Sequence, residues 1–462
     1  MTNPIPSPLS LPSIELLGRY PYTRNQLTVH FMPEKAMLFW KAAGDREPSF
    51  NGEGSGYLPL EFARFLPFVD GKTNLNDIIL AYCDRYQQDF FRMWTAALEF
   101  FQAFIHNGRL QIAAAPHPGA VRTTGHCDYH IPCNLVVELT TRCNLQCSHC
   151  YCHSSPFRTE TAPVSDLFRV LDCLHQNGLR AIELTGGEPL LHPDFTEIME
   201  YGAARFSPIG ILTNGTRITE SLADQFAHHK ERLVFNISLD SSCPEKHDRI
   251  RGVPGSWQKT VMGIRRLSER GIMVRAAMCV HESTVDDIEA TLLLARSLGA
   301  RWFSHNTVSP WGRGKSTQWE ISRVQREILI QEFEKLKQEK YADMTTFIPK
   351  PALDSIVENG CGAGFHSFIL GARGDIRPCV ILDESYLTLG NLFQQSMEEV
   401  FNSPAARRWR TLRLPTRNLC GDCRNQPYCQ YCIAKGIMLS EMLPDGCRWA
   451  RHHHLPGGGR VL

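Results

Sequence analysis

The chain of 462 residues has no long apolar run. No uninterrupted stretch approaches the roughly 20 residues of a membrane-spanning helix, so no membrane partner is expected. It also has almost no excess of charge: the formal net charge is +1 and charged residues make up 21%. Tracking nucleic-acid phosphates takes clustered basic side chains, whereas residues 1–113 carry 10 basic and 11 acidic ones. No nucleic-acid partner is expected. The opening MTNPIPSPLS has neither the basic nor the apolar segment of a secretory signal, and a cytoplasmic location is expected. What is abundant is cysteine, 17 in all. In an unexported chain, that many thiols argue for metal and redox use rather than disulfides. Apolar residues at 43% supply ample core, and the length exceeds one ordinary domain.

Three of the cysteines stand close together. Cys143, Cys147 and Cys150 have the spacing C-x3-C-x2-C, just after the apolar stretch Leu135 to Leu139. Three thiolates that close can hold three irons of a [4Fe–4S] cube and leave the fourth iron open to a small molecule. Most cluster proteins supply four cysteines. Zinc and a chance group of buried thiols are the other readings, but zinc prefers two pairs giving four ligands. The run resembles the cluster loop of radical S-adenosylmethionine (radical SAM) enzymes. The resemblance implies that the open iron chelates SAM, and that one electron then releases a 5′-deoxyadenosyl radical.

The next apolar run, Ala181 to Thr185, leads into Gly186-Gly187-Glu188-Pro189. Two glycines let backbone approach a ligand closely, and proline stiffens the exit. The run is similar to the family's GGEP motif, which implies that its backbone and glutamate meet the SAM amino group. Along Val234 to Asp240, apolar Phe235, Ile237 and Leu239 alternate with polar Asn236, Ser238 and Asp240. A strand in a parallel sheet is expected to be apolar on both faces, so one polar face argues for a lined cavity. Val136, Glu138 and Thr140 share a face, as do Glu183 and Thr185. The resemblance places Ser238 and Asp240 near the SAM ribose and His149 near the adenine. It adds Asn214, from Thr213-Asn214-Gly215, to the SAM contacts. That tripeptide and the stretch Glu245 to Trp257 resemble segments of peptide-acting members. No residue is assigned a catalytic role.

From Val136 to Thr307, strand and helix patterns alternate in six short-looped steps. Such alternation predicts a parallel sheet with helices outside. The expected fold is α/β, a partial (β/α)6 TIM-like barrel, since eight units need more chain. The resemblance supplies the same architecture.

Seven further cysteines follow residue 360: Cys361, Cys379, Cys420, Cys423, Cys429, Cys432 and Cys447. Their pattern resembles the SPASM extension, which usually carries two auxiliary iron–sulfur clusters. By that analogy Cys361, Cys379 and Cys432 hold one cluster and Cys420, Cys423, Cys429 and Cys447 the other. The first set is then one ligand short. A zinc knuckle on Cys420, Cys423, Cys429 and Cys432 is the competing reading. The late pair Cys429 and Cys432 is one residue closer than the family's usual spacing.

Ahead of the barrel, Leu27–Phe31 and Met37–Trp40 read as a hairpin. Leu60 to Val69 reads as a helix. Leu75, Ile78, Ile79 and Tyr82 mark a helix capped by Asn74, and Trp94 to Ile105 mark another. Arg109 to Ala113 reads as a strand. The order resembles a winged-helix module of the kind that recognises the leaders of ribosomally made peptides (RiPPs), and a winged helix without a peptide partner is the alternative.

The predicted organisation is a recognition domain over 1–115, a linker over 116–133, the barrel over 134–310, a bridging helical region over 311–360 and the SPASM domain over 361–462. The resemblance implies a maturase acting on a precursor peptide, by thioether or carbon–carbon crosslinking or by epimerisation. It implies SAM, one radical SAM cluster, two auxiliary clusters, and a donor such as flavodoxin or ferredoxin as partners. The alternative is a SPASM-type enzyme for a tetrapyrrole or quinone precursor.

Overall fold

The structure, a computed structural model, describes residues 13–23, 27–41, 53–280, 282–308, 311–316, 333, 339–344, 362–382, 387–423, 425, 429, 432–442 and 447–455. The chain divides into two compact units, Met1–Ile131 and Pro132–Leu462.

In the first unit β1 (Tyr20–Tyr22), β2 (Thr28–Phe31), β3 (Lys35–Lys41) and β4 (Glu53–Pro59) precede two helices, Leu75–Tyr86 and Phe90–His106. The predicted hairpin is present as β2 and β3, antiparallel. Asn74 caps the first helix by accepting from the Asp77 amide at 3.0 Å. The single helix expected over Leu60 to Val69 is broken into a turn of α-helix, Leu60–Ala63, and a 3-10 turn, Leu66–Phe68. Pro67 lacks the amide that would continue it. The strand expected at Arg109 to Ala113 is β5 (Gln111–Ala113), which pairs with β1 in a separate two-stranded sheet. Arg122–Gly125, inside the stretch read as a linker, is β6 and runs parallel to β2. Its sequence Arg-Thr-Thr-Gly is too short and polar to show as a strand. The main sheet has the order β4-β3-β2-β6, so β4 is an edge. Phe65, Ile78, Ile79, Phe101 and Val29 form the core.

The second unit is built on six strands in sequence order: β7 (Asn134–Thr140), β8 (Ala181–Gly186), β9 (Ile209–Thr213), β10 (Leu233–Ser238), β11 (Met273–Val280) and β12 (Trp302–Thr307). All five neighbouring pairs are parallel, with helices Val164–Gln176, Phe195–Arg205, Glu220–Ala227, Ser256–Glu269 and Ile288–Ser297 on the connections. The predicted α/β barrel is thus present. The reason is legible in β11, where exposure alternates residue by residue, and in β10, where Phe235 and Ile237 are fully buried on the outer face. Most of the predicted bridging region 311–360, and Cys361, lie outside the described residues.

The sheet does not stop at the barrel. β13 (Ser367–Leu370) pairs parallel with β7, and β14 (Asp375–Arg377) and β15 (Gly390–Asn391) extend the same sheet to nine strands. Gly374, at φ +88°, makes the turn between β13 and β14. Among the described residues no helix is long and apolar enough to cross a membrane.

Phe65 is fully buried and stacks on Tyr82 with ring centroids 3.9 Å apart. Phe65→Ala is expected to cost about 3–5 kcal/mol by leaving a cavity, read as a lower urea midpoint for the first unit. A shift under about 1 kcal/mol would contradict this packing.

Candidate active site

The loop after β7 carries Cys143, Cys147 and Cys150, and other backbone holds it in place. The Cys143 amide donates to the Ser155 carbonyl at 3.0 Å, the Gln146 amide to that of Arg251 at 3.1 Å, and the Ser148 amide to that of Ile250 at 3.0 Å. The last two acceptors lie at the end of a helix, Pro244–Arg251. Gly252 follows at φ +73°, where a Cβ would sit 2.7 Å from the Gln146 carbonyl oxygen. The stretch Glu245 to Trp257 therefore braces the cysteine loop. On its other side the Arg313 guanidinium donates from Nε to the Cys147 carbonyl at 2.7 Å and from Nη1 to that of Ser154 at 2.9 Å. Arg313 was not foreseen. The only local sign is Gly312, whose positive φ lets the chain pass against the Cys150 carbonyl.

At the C-terminal ends of the strands lies a cavity of about 330 Å³, within the size range of small-molecule sites. It is lined by the three cysteines and by His149, Gly186, Gly187, Asn214 and Ser238, all foreseen. Gly186 and Gly187 belong there for a steric reason. A Cβ on Gly187 would lie 2.2 Å from the Arg142 carbonyl oxygen, and one on Gly186 2.3 Å from that of Thr140. Asn236, read as part of the polar face of β10 though not among the SAM contacts, lines it as well, and Cys152, Cys279 and Asn306 add groups that were not assigned to it.

Three expected SAM contacts do not line this cavity: Glu188, Pro189 and Asp240. Glu188 is fully buried. Its Oε1 accepts from Thr213 Oγ1 at 2.6 Å and from the Leu190 amide at 3.2 Å, and its Oε2 from the Asn214 amide at 2.9 Å. Burial raises its pKa against those hydrogen bonds. It ties the exit of β8 to that of β9. Asp240 is also fully buried. Its Oδ2 pairs with Arg251 Nε at 2.8 Å and its Oδ1 accepts from the Cys279 amide at 2.9 Å. Burial alone would raise its pKa; the charge of Arg251 beside it wins and holds the carboxyl at about 2. Arg251 Nη1 in turn reaches Cys147 Sγ at 3.6 Å. Both carboxylates are engaged by protein groups outside the cavity lining, Glu188 by three hydrogen bonds and Asp240 by Arg251 and the Cys279 amide, and so shape the walls.

Burial pushes the Cys143 thiol up to about 12 and raises that of Cys147. The Cys152 thiol, 3.7 Å from Cys150 Sγ, lowers Cys150 to about 6 by hydrogen bonding, with burial opposing and Arg313 assisting. In the C-terminal region Cys420, Cys429 and Cys447 are buried. The Cys429 thiol is pushed up to about 12 by burial and then by the nearby charges of Cys420, Cys447 and Cys423. These four are thus neighbours. Cys432 precedes the helix Ile433–Met442; its amide donates to the Cys429 carbonyl at 3.0 Å and its thiol accepts from the Lys435 amide at 3.4 Å. Among the described residues no three Cys, His, Asp or Glu side chains converge on a single-ion position.

Residues 137–295 match the radical SAM superfamily, and residues 361–432 match SPASM, an iron–sulfur cluster-binding domain. The chain carries a radical SAM domain and a SPASM domain. It is 29% identical over 445 residues to the antilisterial bacteriocin subtilosin biosynthesis protein AlbA of Bacillus subtilis, covering 94% of this chain and 97% of that one. It is 28% identical to the AdoMet-dependent heme synthase of Methanosarcina barkeri, covering 64% of this chain and 90% of that one. The fold is that of Streptococcus suis SuiB bound to the precursor peptide SuiA, with TM-score 0.63 at 16% identity, covering 92% of this chain and 98% of that one.

The cofactors of a radical SAM and SPASM protein are SAM, a [4Fe–4S] cluster and auxiliary iron–sulfur clusters. The residues present fit them. Three thiols border one cavity, and the buried Asn236 Oδ1, without a partner among protein groups, faces a space that a polar ligand would fill.

Arg251→Gln leaves Asp240 buried without its counter-charge, which is expected to cost about 3–5 kcal/mol, measured by urea unfolding at neutral pH. The pH dependence has a definite sign. The folded carboxyl titrates at about 2 against an ordinary 3.8, so its stabilisation is present above about pH 4 and fades as pH falls towards 2. In Arg251→Gln, burial without the counter-charge lifts the folded carboxyl above its ordinary range, so this acid-side loss is expected to vanish and protonation at low pH to recover part of the lost stability. Coincident stability–pH curves for the two proteins would refute the role given to this pair.

Proposed function

We propose that the chain is a radical SAM maturase of a ribosomally made precursor peptide. The observation that carries this is the extent of the match to the subtilosin biosynthesis protein. It spans 94% of this chain, whereas the heme synthase match spans 64% and leaves over a third of the chain unaccounted for. SuiB, bound to its precursor peptide, supplies the same fold over 92%.

In this reading the first unit, Met1–Ile131, which includes β6 from the stretch read as a linker, holds the leader, ahead of a barrel over 134–310, a bridge over 311–360 and a SPASM domain over 361–462. The edge strand β4 offers unpaired backbone for strand addition, the mode by which extended peptides join a sheet. Cys143, Cys147 and Cys150 hold the SAM cluster. Gly186 and Gly187 bring backbone to the cofactor, while His149, Asn214, Ser238 and Asn236 border it. Glu188 and Asp240 are positioning residues for the loops around it, and Pro189 stiffens the first of those loops. Cys420, Cys423, Cys429 and Cys447 hold one auxiliary cluster and Cys361, Cys379 and Cys432 the other; the mutual proximity of the first four supports the division. When bound and reduced, cluster and SAM supply a 5′-deoxyadenosyl radical. The chain's own share is to orient a peptide carbon towards the cavity and keep water out. A flavodoxin or ferredoxin of the cytoplasm donates the electron.

The test is anaerobic. Reduced protein with SAM is expected to release 5′-deoxyadenosine. The variant Cys143→Ala/Cys147→Ala/Cys150→Ala is expected to release none and to lose about a third of the iron, one cluster of three. Co-expression with the short reading frame beside its gene is expected to yield a modified peptide. Loss of two hydrogens marks a crosslink, and unchanged mass with deuterium uptake from heavy water marks epimerisation. An unmodified and unbound peptide would favour the small-molecule alternative.

A further inference from the structure

A second cavity, of about 220 Å³, adjoins the first, and Tyr151 and Cys152 line both. Its inner wall joins the barrel to the C-terminal strands. Glu138, on β7, meets Arg377, on β14, through Oε2 and Nη2. Arg377 Nε also holds Asp375 Oδ2 at 2.9 Å, and its Nη1 donates to the Leu382 carbonyl at 3.1 Å. One atom of this network is left over. Glu138 Oε1 is buried, within a residue only 8% exposed, and accepts from no protein group. Buried acceptors of this kind have partners in native proteins, so the position calls for a donor from outside the chain.

The charges around it decide which donor. Asp375 and Glu138 are matched against Arg377, and the two outer cations, Arg158 and Arg373, both face Glu160, at 3.0 Å and 4.0 Å. The wall is balanced, with no surplus negative charge to attract a cation. A neutral N–H donor suits it, and a peptide backbone presents one at every residue.

We propose that this second cavity seats the peptide residue that is modified, with Glu138 Oε1 accepting a hydrogen bond from its backbone N–H. The inference rests on the peptide reading above. It gives that reading a geometry: the reacting residue sits where the second cavity meets the SAM cavity, along Tyr151 and Cys152.

Two variants test it. In Glu138→Gln the amide oxygen turns to Arg377 and an NH2 donor faces the cavity, reversing the hydrogen-bond sense. Ala372→Phe fills the cavity from the turn between β13 and β14, where Ala372 is buried, and removes neither member of the Glu138–Arg377 pair. Each is co-expressed and assayed with the precursor encoded beside the gene, on protein with the iron content of wild type. The readout is modified peptide formed per 5′-deoxyadenosine released. At least a tenfold fall in this ratio is expected in both variants. A wild-type ratio in Ala372→Phe overturns the proposal, whatever Glu138→Gln does; a wild-type ratio in Glu138→Gln alone means that water satisfies the carboxylate and removes the assigned contact. If the wild-type protein modifies no peptide while releasing 5′-deoxyadenosine, the function proposed above falls, and this inference with it.

Discussion

The ion pair of Asp240 and Arg251 is the constraint on which the site depends. Both side chains are buried, where neither charge is tolerable alone. Their pairing at 2.8 Å fixes more than two side chains. Asp240 follows β10 and takes the Cys279 amide of the neighbouring strand β11. Arg251 ends a helix, and its carbonyl accepts from Gln146 in the cysteine loop while its guanidinium reaches Cys147 Sγ. One guanidinium therefore sets the loop's distance from the sheet. A positive charge beside a thiolate favours the charged form, which is the form that ligates metal.

Glu188 does comparable work on the opposite side of the cavity. It collects two backbone amides and one hydroxyl, so the exits of β8 and β9 cannot move apart without stranding a buried carboxylate. Between these two acids the cysteine loop has little freedom. Precision of this kind is what radical chemistry asks of a protein, because the cofactor supplies the reactivity and the chain supplies position.

Much of this was legible in the residues. Six β/α steps show as alternation and spacing, and the polar inner faces of β8 and β10 announce a lined cavity. The cysteine triplet and Gly186-Gly187 lie where the chemistry sits. Local sequence does not reveal what a carboxylate touches. Asp240 and Glu188 looked like ligands because acids in such motifs are polar and near a cofactor, yet they engage partners that include Arg251, 11 residues onward, and Thr213, 25 residues onward. Arg313 lies 166 residues from the Cys147 carbonyl that it holds. The join of β13 to β7 spans more than 230 residues, so no window of sequence could show that the C-terminal strands continue the barrel's sheet.

That join has a chemical consequence. An open barrel leaves the outer edge of β7 unpaired, with backbone groups exposed. Here β13 covers it, and the Glu138–Arg377 contact seals the layer above. The polar interior then has two adjoining spaces, one lined by the cysteines and one by residues of the C-terminal hairpin, with Tyr151 and Cys152 common to both. Each space keeps an unanswered buried acceptor, Asn236 Oδ1 in the first and Glu138 Oε1 in the second. A fold that satisfied both internally would be more stable when empty, since a lone buried acceptor costs about 1–3 kcal/mol. Leaving them open transfers that stabilisation to the bound state, so that ligands complete the interior and a reactive species arises only where donors have already displaced water.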